Sequence, residues 1–106
     1  MDEWLIKYWK DQSGKSPINQ WLLDLDFNHA AAISKELDFL KAAGNSLKMP
    51  HSKALGKGLF ELRERNHHFR IYYGFHGKQI IIILMAGNKH SQEKDIKIAR
   101  KRLQEL

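Results

Sequence analysis

Leu59-Phe60-Glu61-Leu62-Arg63-Glu64-Arg65, His68-Phe69-Arg70-Ile71-Tyr72-Tyr73-Gly74-Phe75 and Gln79-Ile80-Ile81-Ile82-Ile83-Leu84-Met85-Ala86 read as three successive β-strands. All three are apolar, β-branched or aromatic runs, and the breaks at Asn66-His67 and His76-Gly77-Lys78 suit hairpins, so an antiparallel meander is predicted. Period-two geometry sorts the first two strands by face. Phe60, Leu62, Phe69, Ile71, Tyr73 and Phe75 point to the core. Glu61, Arg63, Arg65, His68, Arg70 and Tyr72 point the other way. The run Ile80 to Leu84 lacks alternation, as a central strand covered on both faces would.

Working outward, residues 45–58 read as a loop punctuated by Pro50, Gly56 and Gly58. Before it, residues 28–43 put Ala30, Ile33, Leu37 and Leu40 at helical spacing, with Gly44 as the stop. Ser16-Pro17 marks an earlier helix start that carries Trp21, Leu22 and Leu25 on one side. Residues 3–9 read as a first strand. After the meander, Ser91 is placed to cap a last helix to about residue 105, with Ile96, Ala99, Leu103 and Leu106 as its apolar stripe. The order β-α-α-β-β-β-α predicts a small α+β fold, an antiparallel sheet of about four strands packed with two N-terminal helices and a C-terminal one.

The 106 residues, 42% of them hydrophobic, suit one domain over 1–106 with one modest core. No apolar run approaches the ~18 residues of a membrane span, and the acidic start Met-Asp-Glu-Trp is unlike a secretory leader. A cytoplasmic protein without membrane contact is expected. The lack of cysteine excludes disulfides, thiolate metal sites and a thiol nucleophile. Charge is unevenly spread. Residues 1–50 hold six Lys/Arg against seven Asp/Glu, a net −1; residues 51–106 hold twelve against five, a net +7, with five of the six histidines. Such asymmetry suits a face built for a polyanion such as RNA, and a basic solvated surface is the plainer alternative.

The candidate chemistry lies on the polar face of the meander, where Glu61, Arg63, Arg70 and Tyr72 come together. Arginine's planar fork grips phosphate bidentately and stays charged at any working pH. Tyr72 is suited to stack on a base or donate to a phosphate oxygen. A cross-strand ion pair on a solvated sheet face accounts equally for the pattern. The segment Gly87 to Gln92 opens a helix beside Lys89 and His90, which favours an anion or serves as an ordinary connection. Lys53 and Lys57, with Arg65 and Gln92, would form an RNA-binding rim, and His51 is a further charge there. His67-His68 lacks partners at metal-ligand spacing, so neither metal nor cofactor is expected.

Three motifs in these same regions resemble the phage Gp49-like, HigB-type branch of the RelE/ParE toxin superfamily. The run Lys53 to Arg63 is similar to its K-x-L-x-x-G-L-x-E-L-R segment, and Phe69 to Tyr73 to its y-R-v-y-y strand. Gly87 to Ile96 is similar to its G-[DN]-K-x-x-Q-x-x-D-I turn, with Ala86 where glycine is frequent and His90 where a small residue is usual. The resemblance implies a type II toxin, a ribosome-dependent mRNA endonuclease. It also implies a helix-turn-helix antitoxin from the same operon, through which alone operator DNA would be met. Arg63 and Arg70 match positions of phosphate-binding or catalytic basic residues, and Lys89 falls near a third. A ParE-like gyrase inhibitor and a non-catalytic binding module of the same fold are the alternatives. Metal-independent cleavage needs a base for the 2′-OH, charge to stabilise the phosphate, and an acid for the leaving 5′-oxygen. Two arginines supply the charge, and His90 is the nearby group that titrates in range. Glu61, between guanidiniums, is better suited to orient them than to act as base. Truncating either arginine is expected to leave the core intact.

Overall fold

The computed structural model describes residues 3–106. Met1 and Asp2, part of the acidic start discussed above, lie outside the described residues. Its elements are β1 (Leu5–Tyr8), α1 (Pro17–Leu23), α2 (Phe27–Ala43), a 3-10 turn (Gly44–Ser46), β2 (Ser52–Gly56), β3 (Leu59–Glu64), β4 (Phe69–Phe75), β5 (Ile80–Asn88), a second 3-10 turn (Lys89–Ser91) and α3 (Gln92–Gln104). The α+β class and the meander agree with the expectation. The sheet, however, has five strands in the order β1-β5-β4-β3-β2, and β1 runs parallel to β5. The fifth strand comes from Ser52-Lys53-Ala54-Leu55-Gly56, expected to be loop. It has no β-branched or aromatic residue to announce it and is held as an edge by pairing with β3.

Both faces of the sheet are covered, which decides where charge can sit. On one face Ile18 of α1 and Ile33 and Leu40 of α2 pack on Leu62, Phe69, Ile71, Tyr73, Ile81, Ile83 and Ala86. On the other, Ala99, Ile96 and Leu103 of α3 pack on Leu59, Tyr72, Ile82 and Leu84. Leu106, expected on that stripe, is 49% exposed beyond the helix end. The alternating isoleucines of β5 therefore feed two cores, as its unbroken apolar run required.

Two local devices set this arrangement. A bulge in β5 pairs Tyr72 with Met85 but Tyr73 with Ile83, leaving Leu84 as the extra residue. The parity of β5 changes there, so Ala86 joins the first core with Ile83 and Gly87 turns toward the α3 face, beside Arg70. Arg102 of α3 donates from Nη1 to the Leu84 carbonyl at 2.8 Å and lies 3.9 Å from the Trp9 ring centroid, so the bulged carbonyl is satisfied and the helix is clamped. At the end of α2, Gly44 takes φ +55 with the Trp4 ring where a Cβ would stand, so only glycine fits that stop.

Candidate active site

The β3–β4 register sets Arg63 opposite Arg70 and Glu61 opposite Tyr72, all on the face that α3 partly covers. Glu61 is 1% exposed. Its Oε1 lies 3.6 Å from Arg63 Nε and 3.7 Å from Arg70 Nε, while Oε2 accepts from Gln92 Nε2 at 2.7 Å. The arginine separations are ion-pair distances, too long for hydrogen bonds, and both Nε atoms are buried with no hydrogen-bond partner among the described residues. One carboxylate thus faces two guanidiniums in a cleft between sheet and helix, with the buried Asp95 carboxylate nearby over Gly87, the register partner of Arg70. Arg70 is the deeper, its side chain 9% exposed and Nη1 donating to the Phe69 carbonyl at 3.2 Å. Arg63 reaches the surface at 28%, with Nη1 3.9 Å from Met49 Sδ.

Tyr72 corrects an expectation. Its ring is fully buried under α3 and so is closed to a stacking base, and its hydroxyl has no hydrogen-bond partner among the described residues. Burial, then the Glu61 and Asp95 carboxylates, push its ionisation well above that of an ordinary phenol, against the pull of Arg70.

The other expected residues divide. Gln92 joins the cluster outright. Lys53 stands in register with Glu61 on the neighbouring strand, exposed at the sheet edge. Lys57 lies in the β2–β3 turn, beyond the far end of β3 and six positions from Arg63, roughly 15–20 Å away. Arg65 is exposed in the β3–β4 turn. Lys89 is tied by its backbone N–H to the His68 carbonyl at 3.0 Å, so this turn abuts the β3–β4 hairpin. His90 is exposed; it borders a shallow hollow with Glu93, Lys94 and Lys97, and its ring has no hydrogen bond or ion pair among the described residues. The expected Ser91 cap is also corrected. Asn88 caps instead, its Oδ1 accepting from the backbone N–H of His90 (2.9 Å) and Ser91 (3.2 Å), while the Ser91 hydroxyl turns inward to Asp95.

Two features were not legible beforehand. His51 is a part-buried imidazole whose Nδ1 is 3.4 Å from Glu36 Oε2, and its carbonyl accepts from the Arg63 N–H at 2.8 Å. Nothing in the spacing of Glu36 and His51 signals that pair. Asp95 is buried, at 3% exposure, one helical turn beyond Gln92. A hollow of about 1040 Å³ lined by Tyr8, Trp9, Asn19 and Glu105 contains none of these residues. No three His, Asp or Glu side chains cluster as metal ligands among the described residues, and no helix there is long and apolar enough to cross a membrane.

The architecture is that of RelE. Over 90% of this chain and 98% of the other, it superposes on the isolated E. coli RelE toxin with a TM-score of 0.57 at 14% identity. Residues 20–104 match the family described as phage derived protein Gp49-like, and the chain belongs to that family. An uncharacterized protein of Haemophilus influenzae (strain Rd) is 30% identical over 106 residues, covering 99% of this chain and 87% of the relative.

Proposed function

We propose that this chain is the toxin of a type II toxin–antitoxin pair and cleaves mRNA on the ribosome using its own side chains. The observation that carries the reading is the sharing at Glu61: one buried carboxylate holds two arginines side by side, so two guanidiniums are preorganised for a phosphate. A fixed charge in a partly water-excluded cleft is worth more to a developing oxyanion than the same charge in water. Arg63, at the surface, meets the scissile phosphate first, and Arg70 closes on it from below. Glu61 orients both, with Gln92 holding Glu61. Lys53, Arg65 and Lys89 take the flanking phosphates, where charge binds without reading sequence. Lys57 is distant and serves the rim alone.

Proton transfer falls to an imidazole, His90 on the turn or His51 beside Arg63. The message, aligned by the ribosome, brings its 2′-hydroxyl to that group, so modest basicity suffices. A helix-turn-helix antitoxin encoded in the same operon would cover the basic face and carry the pair to operator DNA. The protein would act in the cytoplasm, without cofactor or membrane. One observation favours a second reading, a ParE-like or other non-catalytic binder: no imidazole touches the arginine cluster among the described residues. Expression in bacteria with mapping of mRNA 5′ ends separates them. New ends inside translated regions support the nuclease; intact messages with blocked replication support gyrase inhibition.

A further inference from the structure

We infer that Asp95 is a positioning residue, seated over Gly87 so that the first turn of α3 holds Gln92 on Glu61 and thereby fixes both arginines. The inference rests on reading Glu61, Arg63 and Arg70 as the phosphate site. Asp95 is 3% exposed, and its Oδ2 accepts from the Ser91 hydroxyl at 2.5 Å. That hydroxyl also lies 3.2 Å from the Asn88 carbonyl, so the carboxylate, the turn and the strand end are joined at one point. Gly87 makes the seat. A Cβ there would stand 2.1 Å from Asp95 Oδ2 and 2.6 Å from Ser91 Oγ, closer than real Cβ atoms come. Gly87 is also the register partner of Arg70, so the seat adjoins the deeper arginine.

Gln92 and Asp95, three residues apart, share one helix face. The height of Asp95 above Gly87 therefore sets the height of Gln92 above Glu61. Packing alone does not account for a carboxylate here. Burying one is costly, and an alanine would let α3 approach β5 without that cost. What the carboxylate adds is order: it fixes Ser91, and with it the residue that grips Glu61.

The test measures the side-chain amide of Gln92 by NMR, assigned with Gln92→Ala, alongside thermal midpoints and cleavage kinetics. In the native protein the amide should be shifted and protected by Glu61. In Asp95→Ala it should move to the position of a free glutamine, and in Asp95→Asn part of the way. kcat should fall roughly ten- to a hundredfold with KM little changed, as for misplaced catalytic groups. Gly87→Ala should reproduce the amide shift and lower the thermal midpoint, yet cost less when added to Asp95→Ala, because the clash with the carboxylate has gone and only that with the rotatable Ser91 hydroxyl remains. An unmoved amide in folded Asp95→Asn and Gly87→Ala would overturn the inference, even if Asp95→Ala failed to fold. A native protein that never cuts message would instead refute the nuclease reading, while the amide still decides the role of Asp95.

Discussion

Gln92 Nε2 donates to Glu61 Oε2 at 2.7 Å across 31 positions of chain, joining the first residue of α3 to the middle of β3. This contact turns a surface ion pair into a buried site, because the helix that brings Gln92 also removes Glu61 from water. Glu61→Ala would leave two guanidiniums facing each other in a partly dry cleft. It should cost roughly 3 kcal/mol in denaturant unfolding, as breaking a buried pair from one side does. Glu61→Gln should cost less, since it keeps the shape and can still meet Gln92. Equal, negligible losses in both would mean that the carboxylate is not holding the cluster.

The two arginines should separate by depth. Arg63, 28% exposed, is the less desolvated partner of the same buried carboxylate, so Arg63→Ala should cost about 1–2 kcal/mol, less than Arg70→Ala. Arg70, 9% exposed, leaves a buried carboxylate with one cation fewer, so Arg70→Ala should cost roughly 2–3 kcal/mol. Chemical denaturation of the pair checks this. The expectation from sequence, that truncating either arginine leaves the core intact, took both to lie on an open polar face, whereas Arg70 is buried.

That difference shows where the sequence runs out. Alternation in β3 and β4 correctly put Glu61, Arg63, Arg70 and Tyr72 on one face, since side-chain parity is local. It could not say what covers that face. The stripe Ile96, Ala99 and Leu103 announced an apolar helix side without naming the sheet face it meets, so Tyr72 read as available when it is buried. β2 was missed because an edge strand needs a partner more than a propensity. The bulge at Leu84, which turns Gly87 toward Arg70, has no marker in a run of isoleucines. Asn88 and Ser91 are both good capping residues, and the pull of Asp95 on the Ser91 hydroxyl, one turn further on, decides between them.

Tyr72→Phe distinguishes a buried phenol from an RNA contact. The hydroxyl is buried without a partner among the described residues, so removing it should leave the thermal midpoint unchanged or raised, because an unsatisfied polar group is lost. RNA affinity should be unaffected. A marked loss of affinity in a folded variant would mean that the ring becomes exposed when RNA binds.

Alkaline pH offers a test of the two cores together. Burial raises the ionisation of Tyr8, Tyr72 and Tyr73 above the ordinary phenol, and a hydrogen bond from Ser52 only partly offsets this at Tyr73. Above pH ~10 the unfolded chain releases phenolic protons that the folded chain keeps, so stability falls with rising pH. The tyrosine contribution is whole below that point and is lost as pH climbs through the folded values. Phenolate absorbance should therefore appear together with loss of near-UV circular dichroism. Ionisation of all three tyrosines with the fold intact would contradict the burial described for Tyr72 and Tyr73.

The most direct test of the central claim is cleavage of ribosome-bound message by the Arg63→Ala/Arg70→Ala protein, with rate and thermal midpoint measured on one preparation. Loss of one preorganised charge donor costs roughly 3–4 kcal/mol of barrier, or ~10²–10³ in rate, so Arg70→Ala alone should be crippled and the double variant at least as much. Arg70→Lys should recover only part, since an ammonium lacks the bidentate fork. A folded double variant that cuts message at the native rate would contradict the assignment of this cluster as the phosphate site.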